Sequence, residues 1–253
     1  MDTITVTGMV LSAMPVGETD RRVTLLTKEQ GCVSAFARGA SRPQSPLLAS
    51  TRPFATGDFT LYPRRDSYSL QDASIREYFD SIVKDYDKMA YGCYFMELAG
   101  YFAAESADGT QLLNLLYLTL RAVQKGAMPI ELIRLVFEYR VFAVGGVYPQ
   151  VFECGRCRKK LTEGYFSMAA RQAFCPACRR EGEGEYLSPS AVYTLQYILT
   201  APLTKLYSFQ ITKDIFLPLS NLLERWKKRY LDRDFKSLAL IGIQNPQDLG
   251  PTS

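Results

Sequence analysis

The sequence predicts a multi-domain α+β protein: a small all-β barrel followed by an α-helical bundle, with a four-cysteine metal-binding segment inserted in the bundle. Three observations carry this expectation. Residues 1–75 fall into five short β-leaning runs, and near residue 78 the apolar spacing changes to three and four. Two C-x-x-C pairs, Cys154/Cys157 and Cys175/Cys178, then stand seventeen residues apart. The expected division is 1–78 for the barrel, 79–150 with 187–243 for the helices, and 151–186 for the insertion.

The five runs are "ITVTGMVLSAM", "RRVTLLTKE", "GCVSAFARGA", "PFATGDFTLYPR" and "SYSLQDASI". Turn-forming stretches such as "PVGETD", "SRPQSPLLASTR" and "RRD" part them. In "VSAFARG" the residues Val33, Ala35 and Ala37 alternate with Ser34, Phe36 and Arg38, the two-residue period of a pleated strand. Five short strands at this spacing suit a small sandwich or barrel, and the OB-fold is the best-known barrel of this size.

After residue 78 the pattern is helical. In "DSIVKDYDKMAYGCYFMELAGYFAAES" the residues Ile82, Tyr86, Met89, Cys93, Met96 and Gly100 recur at three- and four-residue intervals. "GTQLLNLLYLTLRAVQKG" and "PIELIRLVFEYRVFAVGG" follow, each closed by glycine, and Pro129 opens the second. Beyond the cysteines, "SPSAVYTLQYILT" offers Ser188 as N-cap and Pro189 as first helical residue. "TKDIFLPLSNLLERWKKRYLD" holds Pro218 inside it, which predicts a kink or a break. The ending "NPQDLGPTS" reads as a frayed tail.

Each C-x-x-C pair can form a tight turn that aims two sulfurs at one centre. The spacing matches a zinc pattern. The chain contains no histidine, so the ligand set is Cys154, Cys157, Cys175 and Cys178. Four thiolates complete a tetrahedron and leave no position for water, which makes a structural rather than a catalytic site. Iron in a tetrathiolate site is one alternative. Disulfides are disfavoured in a reducing compartment, and a redox C-x-x-C is disfavoured because a helix with a glycine end, not a βαβ pattern, precedes the first pair. "GYFSMAARQAFC", between the pairs, can supply a hairpin. Cys32 and Cys93 are isolated thiols in apolar surroundings and read as core residues of a reducing compartment. The start "MDTITVTGMVL" lacks the basic head and apolar block of a signal peptide, and no stretch is apolar and long enough to span a bilayer. A cytoplasmic protein is expected.

The net charge is +4, from 30 Lys+Arg against 26 Asp+Glu, a mild bias toward anionic partners. Its distribution is more informative. Arg21, Arg22, Arg38, Arg42, Arg52, Arg64 and Arg65 crowd the β region, and Phe36, Phe54, Phe59, Tyr62 and Tyr68 interleave with them. Guanidinium forks suit phosphate and aromatic faces can stack unpaired bases, so these arginines are the candidate DNA-binding residues. Further basic clusters lie in "CRKK" with Arg179 and Arg180, and in "ERWKKRYLDRDFK". The absence of histidine excludes Ser-His-Asp and Cys-His catalysis. No glycine-rich phosphate loop is present either. A binding protein rather than an enzyme is expected. A zinc-containing nuclease and an RNA-binding OB-fold protein are the alternatives.

The run "VLSAMPVGETDRRVTLLTKEQGCVSAFARGASRPQSPL" resembles the opening of the bacterial RecO recombination-mediator family. "FAVGGVYPQVFECGRC" is similar to that family's passage from a helix end into its first cysteine pair, and "DFKSLALI" to its closing helix. The resemblance implies an N-terminal OB-fold, a helical domain and an inserted zinc segment. It also implies binding of single- and double-stranded DNA, annealing of complementary strands, and pairing with the RecR protein. Contact with the acidic C-terminal tail of single-strand-binding protein and help in loading recombinase are implied too, near the bacterial nucleoid. Arg134 and Arg140, on "IELIRLVFEYR", are the candidates for the tail contact. This chain has Ser41 where relatives often carry a basic residue.

Overall fold

The computed structural model describes residues 2–65, 67–103 and 108–241. The chain divides into two compact units, Met1–Lys125 and Gly126–Ser253.

In the first unit, β1 (Ile4–Val16), β2 (Asp20–Thr27), β3 (Gly31–Ala37), β4 (Thr56–Pro63) and β5 (Tyr68–Glu77) close into a barrel of order β1-β2-β3-β5-β4. This is the predicted small barrel, with the OB-fold's five strands. β1 closes the ring because it is long enough to serve two partners. Its residues Ile4–Met9 pair with β4 and Gly8–Val16 with β2, with a register shift between Val10 and Ser12. β3 and β5 run parallel and meet at Ala35↔Tyr68 and Phe36↔Ser69.

The two-residue period sorts side chains as the sequence requires. Val23, Leu25, Val33, Ala35, Phe59 and Leu61 fill the barrel. Phe59, fully buried, contributes about 1.5–3 kcal/mol of transfer free energy. A Cβ on Gly57 would lie 2.1 Å from the Ser74 carbonyl oxygen, so β4 and β5 pair closely there only because the residue is glycine. Gly57→Ala is expected to lower the unfolding free energy by about 1–3 kcal/mol, read from urea denaturation. A cost near zero would show that the β4–β5 pairing gives way easily.

Helix α1 (Leu47–Ser50) lies in the β3–β4 connection. The predicted helix after residue 79 is two pieces, α2 (Asp80–Val83) and α3 (Tyr86–Ala103). The Asp85 carboxylate accepts from the Lys88 backbone N–H at 3.2 Å and starts a new helix at that point. The buried side of α3 is broader than the predicted stripe. Tyr86 is 62% exposed, whereas Tyr91, Tyr94, Phe95, Leu98 and Ala99 are buried, because α3 packs on both the barrel and α4 (Thr110–Lys125). The end of the predicted helix, 104–106, lies outside the described residues. Cys32 and Cys93 are half-buried, and burial raises both thiol pKa values above the ordinary range.

In the second unit, α5 (Ile130–Val144), α6 (Pro189–Thr200) and α7 (Lys213–Tyr230) pack on one another. Ser188 Oγ accepts from the Ala191 N–H, as the N-cap reading requires. Pro129 precedes α5 as its N-cap rather than its first residue. Pro218 does not break α7. It lies in the second turn, so the carbonyl it leaves without a helical donor is that of exposed Asp214, where water can serve. The anticipated closing helix is only a single 3₁₀ turn, Lys236–Ala239, and the tail at 245–253 lies outside the described residues. Among the described residues no helix is long and apolar enough to cross a membrane.

Candidate nucleic-acid interface and metal centre

Between α5 and α6 the chain forms a small sheet of order β7-β6-β8, from β6 (Gly164–Ser167), β7 (Gln172–Phe174) and β8 (Glu185–Leu187). The predicted hairpin between the cysteine pairs is β6–β7. Two tight turns flank it. The Arg158 N–H donates to the Cys154 carbonyl at 2.9 Å, and the Cys178 N–H donates to the Cys175 carbonyl at 2.9 Å. Arg158 takes φ +60° to complete the first turn.

These turns bring the Sγ atoms of Cys154, Cys157, Cys175 and Cys178 within 4.8 Å of one another. The Cys157 and Cys175 sulfurs are 3.9 Å apart, close to the roughly 3.8 Å edge of a tetrahedron with 2.3 Å metal–sulfur bonds. The donor set fits one tetrahedral, thiolate-loving ion. Protonation points the same way. Burial opposes ionisation of Cys154, but N–H donors from Cys157, Cys175 and Arg156 bring its pKa down to about 6. Hydrogen bonds to Cys175 and Cys157, with burial, push Cys178 up to about 12. Four neighbouring thiols cannot all lose protons unless a cation balances the charge.

Sequence reasoning missed Arg156. Its guanidinium makes a double contact with Glu183 at 2.7 and 2.8 Å, donates to the Cys178 carbonyl, and covers the Phe174 ring at 4.1 Å. It thereby clips the first cysteine turn to the second. A basic residue inside one C-x-x-C and an acid five residues past the other were the available signal. The sheet is anchored by Phe166 against Trp226 of α7, with ring centroids 5.9 Å apart. Gln196 of α6 donates to the Val151 and Leu161 carbonyls at 2.7 and 3.0 Å.

The barrel places its arginines unequally. Arg22 on β2, Arg38 just past β3, Arg42 and Arg52 in the β3–β4 connection, and Arg64 and Arg65 in the β4–β5 turn are all exposed. None of these six pairs with a carboxylate within 4.0 Å among the described residues. Arg38 and Arg42 act electrostatically on the Asp20 carboxylate. The Gly39 N–H donates to that carboxylate at 2.8 Å and lowers its pKa, with Arg38 and Arg42 adding to that effect. Arg21 differs. It donates to Ser41 Oγ at 3.3 Å, the Leu48 carbonyl at 3.1 Å and Thr51 Oγ1 at 2.9 Å, and so fastens the β3–β4 connection to β2.

Arg134 and Arg140 are engaged within the helical unit. Arg134 contacts Glu138 at 3.1 Å and Glu224 at 3.4 Å. Arg140 donates to the carbonyls of Ile198 and Leu199 at the end of α6, and burial lowers its pKa.

The comparisons with known proteins cover both units. The family model "Recombination protein O N terminal" matches residues 1–79, and "Recombination protein O C terminal" matches 83–239. The chain is 28% identical to the DNA repair protein RecO of Acetivibrio thermocellus over 95% of its own length and 97% of the relative's. For the protein of that name from Desulforudis audaxviator the identity is 30%, over 92% and 94%. For that from Exiguobacterium it is 31%, over 77% of each chain. With both halves matched in order and nearly the whole length aligned, the chain belongs to the RecO family.

Proposed function

We propose that this protein acts in DNA repair and recombination as a mediator rather than an enzyme. Its barrel holds the sugar–phosphate chain of single- and double-stranded DNA, and it anneals complementary strands. It helps recombinase onto DNA covered by single-strand-binding protein, with the RecR protein and that protein's acidic tail as partners. The family membership and the names of its relatives support the repair role. One structural observation carries the binding surface. Arg22 on β2, Arg38 and Arg42 beyond the end of β3, and Arg64 and Arg65 in the β4–β5 turn lie exposed, and the β2–β3 face and β4–β5 turn are where five-stranded barrels of this kind bind oligonucleotides. Arg52 extends this surface, and Arg21 positions the loop that carries Arg42. The four cysteines hold a structural zinc ion, which brings charge balance and rigidity to the insertion and no open coordination position. Arg134 and Arg140 read as positioning residues of the helical layer, so the tail's seat is proposed without a residue assignment.

Binding through phosphates releases counterions, with a log–log salt slope of about −0.7 per phosphate on single strands. Arg38→Ala with Arg42→Ala is expected to flatten the slope by about 1.4. An unchanged slope, measured by anisotropy titration at several salt concentrations, would move the site elsewhere. Annealing of complementary strands, with and without single-strand-binding protein, tests the mediator role. Cleavage of labelled DNA in Mg²⁺ or Mn²⁺ would favour a nuclease instead, and stronger binding to RNA of the same sequence an RNA-binding module.

A further inference from the structure

The aromatic residues interleaved with the barrel arginines differ in burial. Phe54 and Phe59 are core residues, at 3% and 0% exposure, and Tyr62 and Tyr68 are half-buried. Of these five rings that of Phe36 is the most open to solvent, at 37%. It projects from the outer side of β3, between Ser34 and Arg38 on the same strand face. On β2 its directly paired neighbour is Arg22, whose guanidinium carbon lies 6.0 Å from the ring centroid. Arg22 Nε donates to Ser34 Oγ at 2.8 Å, which fixes the guanidinium alongside the ring. Beyond Arg22, the paired residue on β1 is Met14, 63% exposed.

On the other side the row continues from Phe36 to Ser69 of β5 and then to Tyr62 of β4, with Arg64 5.9 Å from the Tyr62 ring centroid. Two ring–guanidinium pairs thus stand two strands apart, about 10 Å, with small, buried Ser69 between them, its Oγ accepting from Gln71 Nε2 at 3.0 Å. Guanidinium groups alone suffice to hold phosphates. An exposed phenylalanine among them adds a flat apolar face, which suits a base that has left its stack and not the phosphate edge of a duplex.

We propose that Phe36 is a base-stacking residue: its exposed ring takes the face of one unpaired base while Arg22 and Arg38 hold the neighbouring phosphates. This rests on the nucleic-acid reading of the barrel and adds the feature that distinguishes unpaired from paired strands. Tyr62 with Arg64 provides the next contact along the same row.

The test uses the full chain and two labelled single strands of equal length, one with ordinary bases and one abasic. Phe36→Leu keeps an apolar side chain on the strand and Phe36→Tyr keeps the ring, and thermal melting checks that both fold. Phe36→Leu is expected to weaken binding to the base-bearing strand about tenfold and to leave the abasic strand unchanged. Phe36→Tyr is expected to restore base-bearing affinity to within about twofold. Equal losses on both strands, or no loss on either, overturn the stacking role while leaving the electrostatic reading intact. An unsubstituted chain that binds neither strand overturns both.

Discussion

Stripping the proposed metal from the four-cysteine centre is expected to unfold the segment between α5 and α6. The sheet there has strands of four, three and three residues, too short to persist alone in water. A tetrahedral metal clamp would supply what the small core lacks, with an apparent binding free energy on the order of 10 kcal/mol. The chain carries its own reporter. Trp226 is its single tryptophan, is 1% exposed, and packs against Phe166 of that sheet. A strong chelator should shift Trp226 emission to the red, and one equivalent of zinc should reverse the shift. Cys154→Ser, which removes the fully buried ligand, should give the shifted spectrum without chelator. Untagged protein that carries no metal by elemental analysis would end the proposal of a metal-held segment. Iron in place of zinc would correct the identity and keep the mechanics.

A second large effect is expected at Glu138, 2% exposed on α5. Its Oε1 accepts from Lys227 Nζ at 3.0 Å and from Arg134 Nε at 3.1 Å, while Lys227 also reaches Glu224 at 2.6 Å. Glu138 and Glu224 face Arg134 and Lys227, and the pair linking α5 to α7 is out of water. Glu138→Gln keeps the shape and removes the charge, leaving Lys227 buried with the exposed Glu224 as its one remaining carboxylate among the described residues. The expected cost is about 3 kcal/mol of unfolding free energy. Replacing both partners, Glu138→Leu with Lys227→Met, should cost far less, because no buried charge is stranded. A double-mutant cycle read by urea denaturation checks this. Equal costs for the single and double changes would mean that the network is hydrated and contributes little.

Features set by local pattern were legible in the sequence. The alternation of Val33, Ala35 and Ala37 against Ser34, Phe36 and Arg38 gave β3 its faces, and a fixed ligand type with fixed spacing gave the cysteine cluster. Features decided by tertiary surroundings were harder to read. Periodicity marked Tyr86 as core, but the Asp85 cap starts a fresh helix there and leaves it exposed. Pro218 signalled an interruption that its place in the second turn of α7 averts. Among the arginines, composition could not separate Arg21, which fastens a loop, from Arg22 beside it, because adjacent strand residues face opposite ways. Nothing in the sequence marked Glu138 and Lys227, 89 residues apart, as partners.

The ring of strands has one further consequence. Every neighbouring pair in the barrel is hydrogen-bonded, β1 having been spent on both β2 and β4. An open sheet can recruit a passing peptide by zipping main chain to main chain along a whole edge, whereas here every strand has a partner on each side and the shortest seam is the two-pair β3–β5 junction. Away from that seam, docking on the N-terminal unit falls to side-chain chemistry on the rind of the cylinder, where a handful of substitutions can retune selectivity without disturbing the fold.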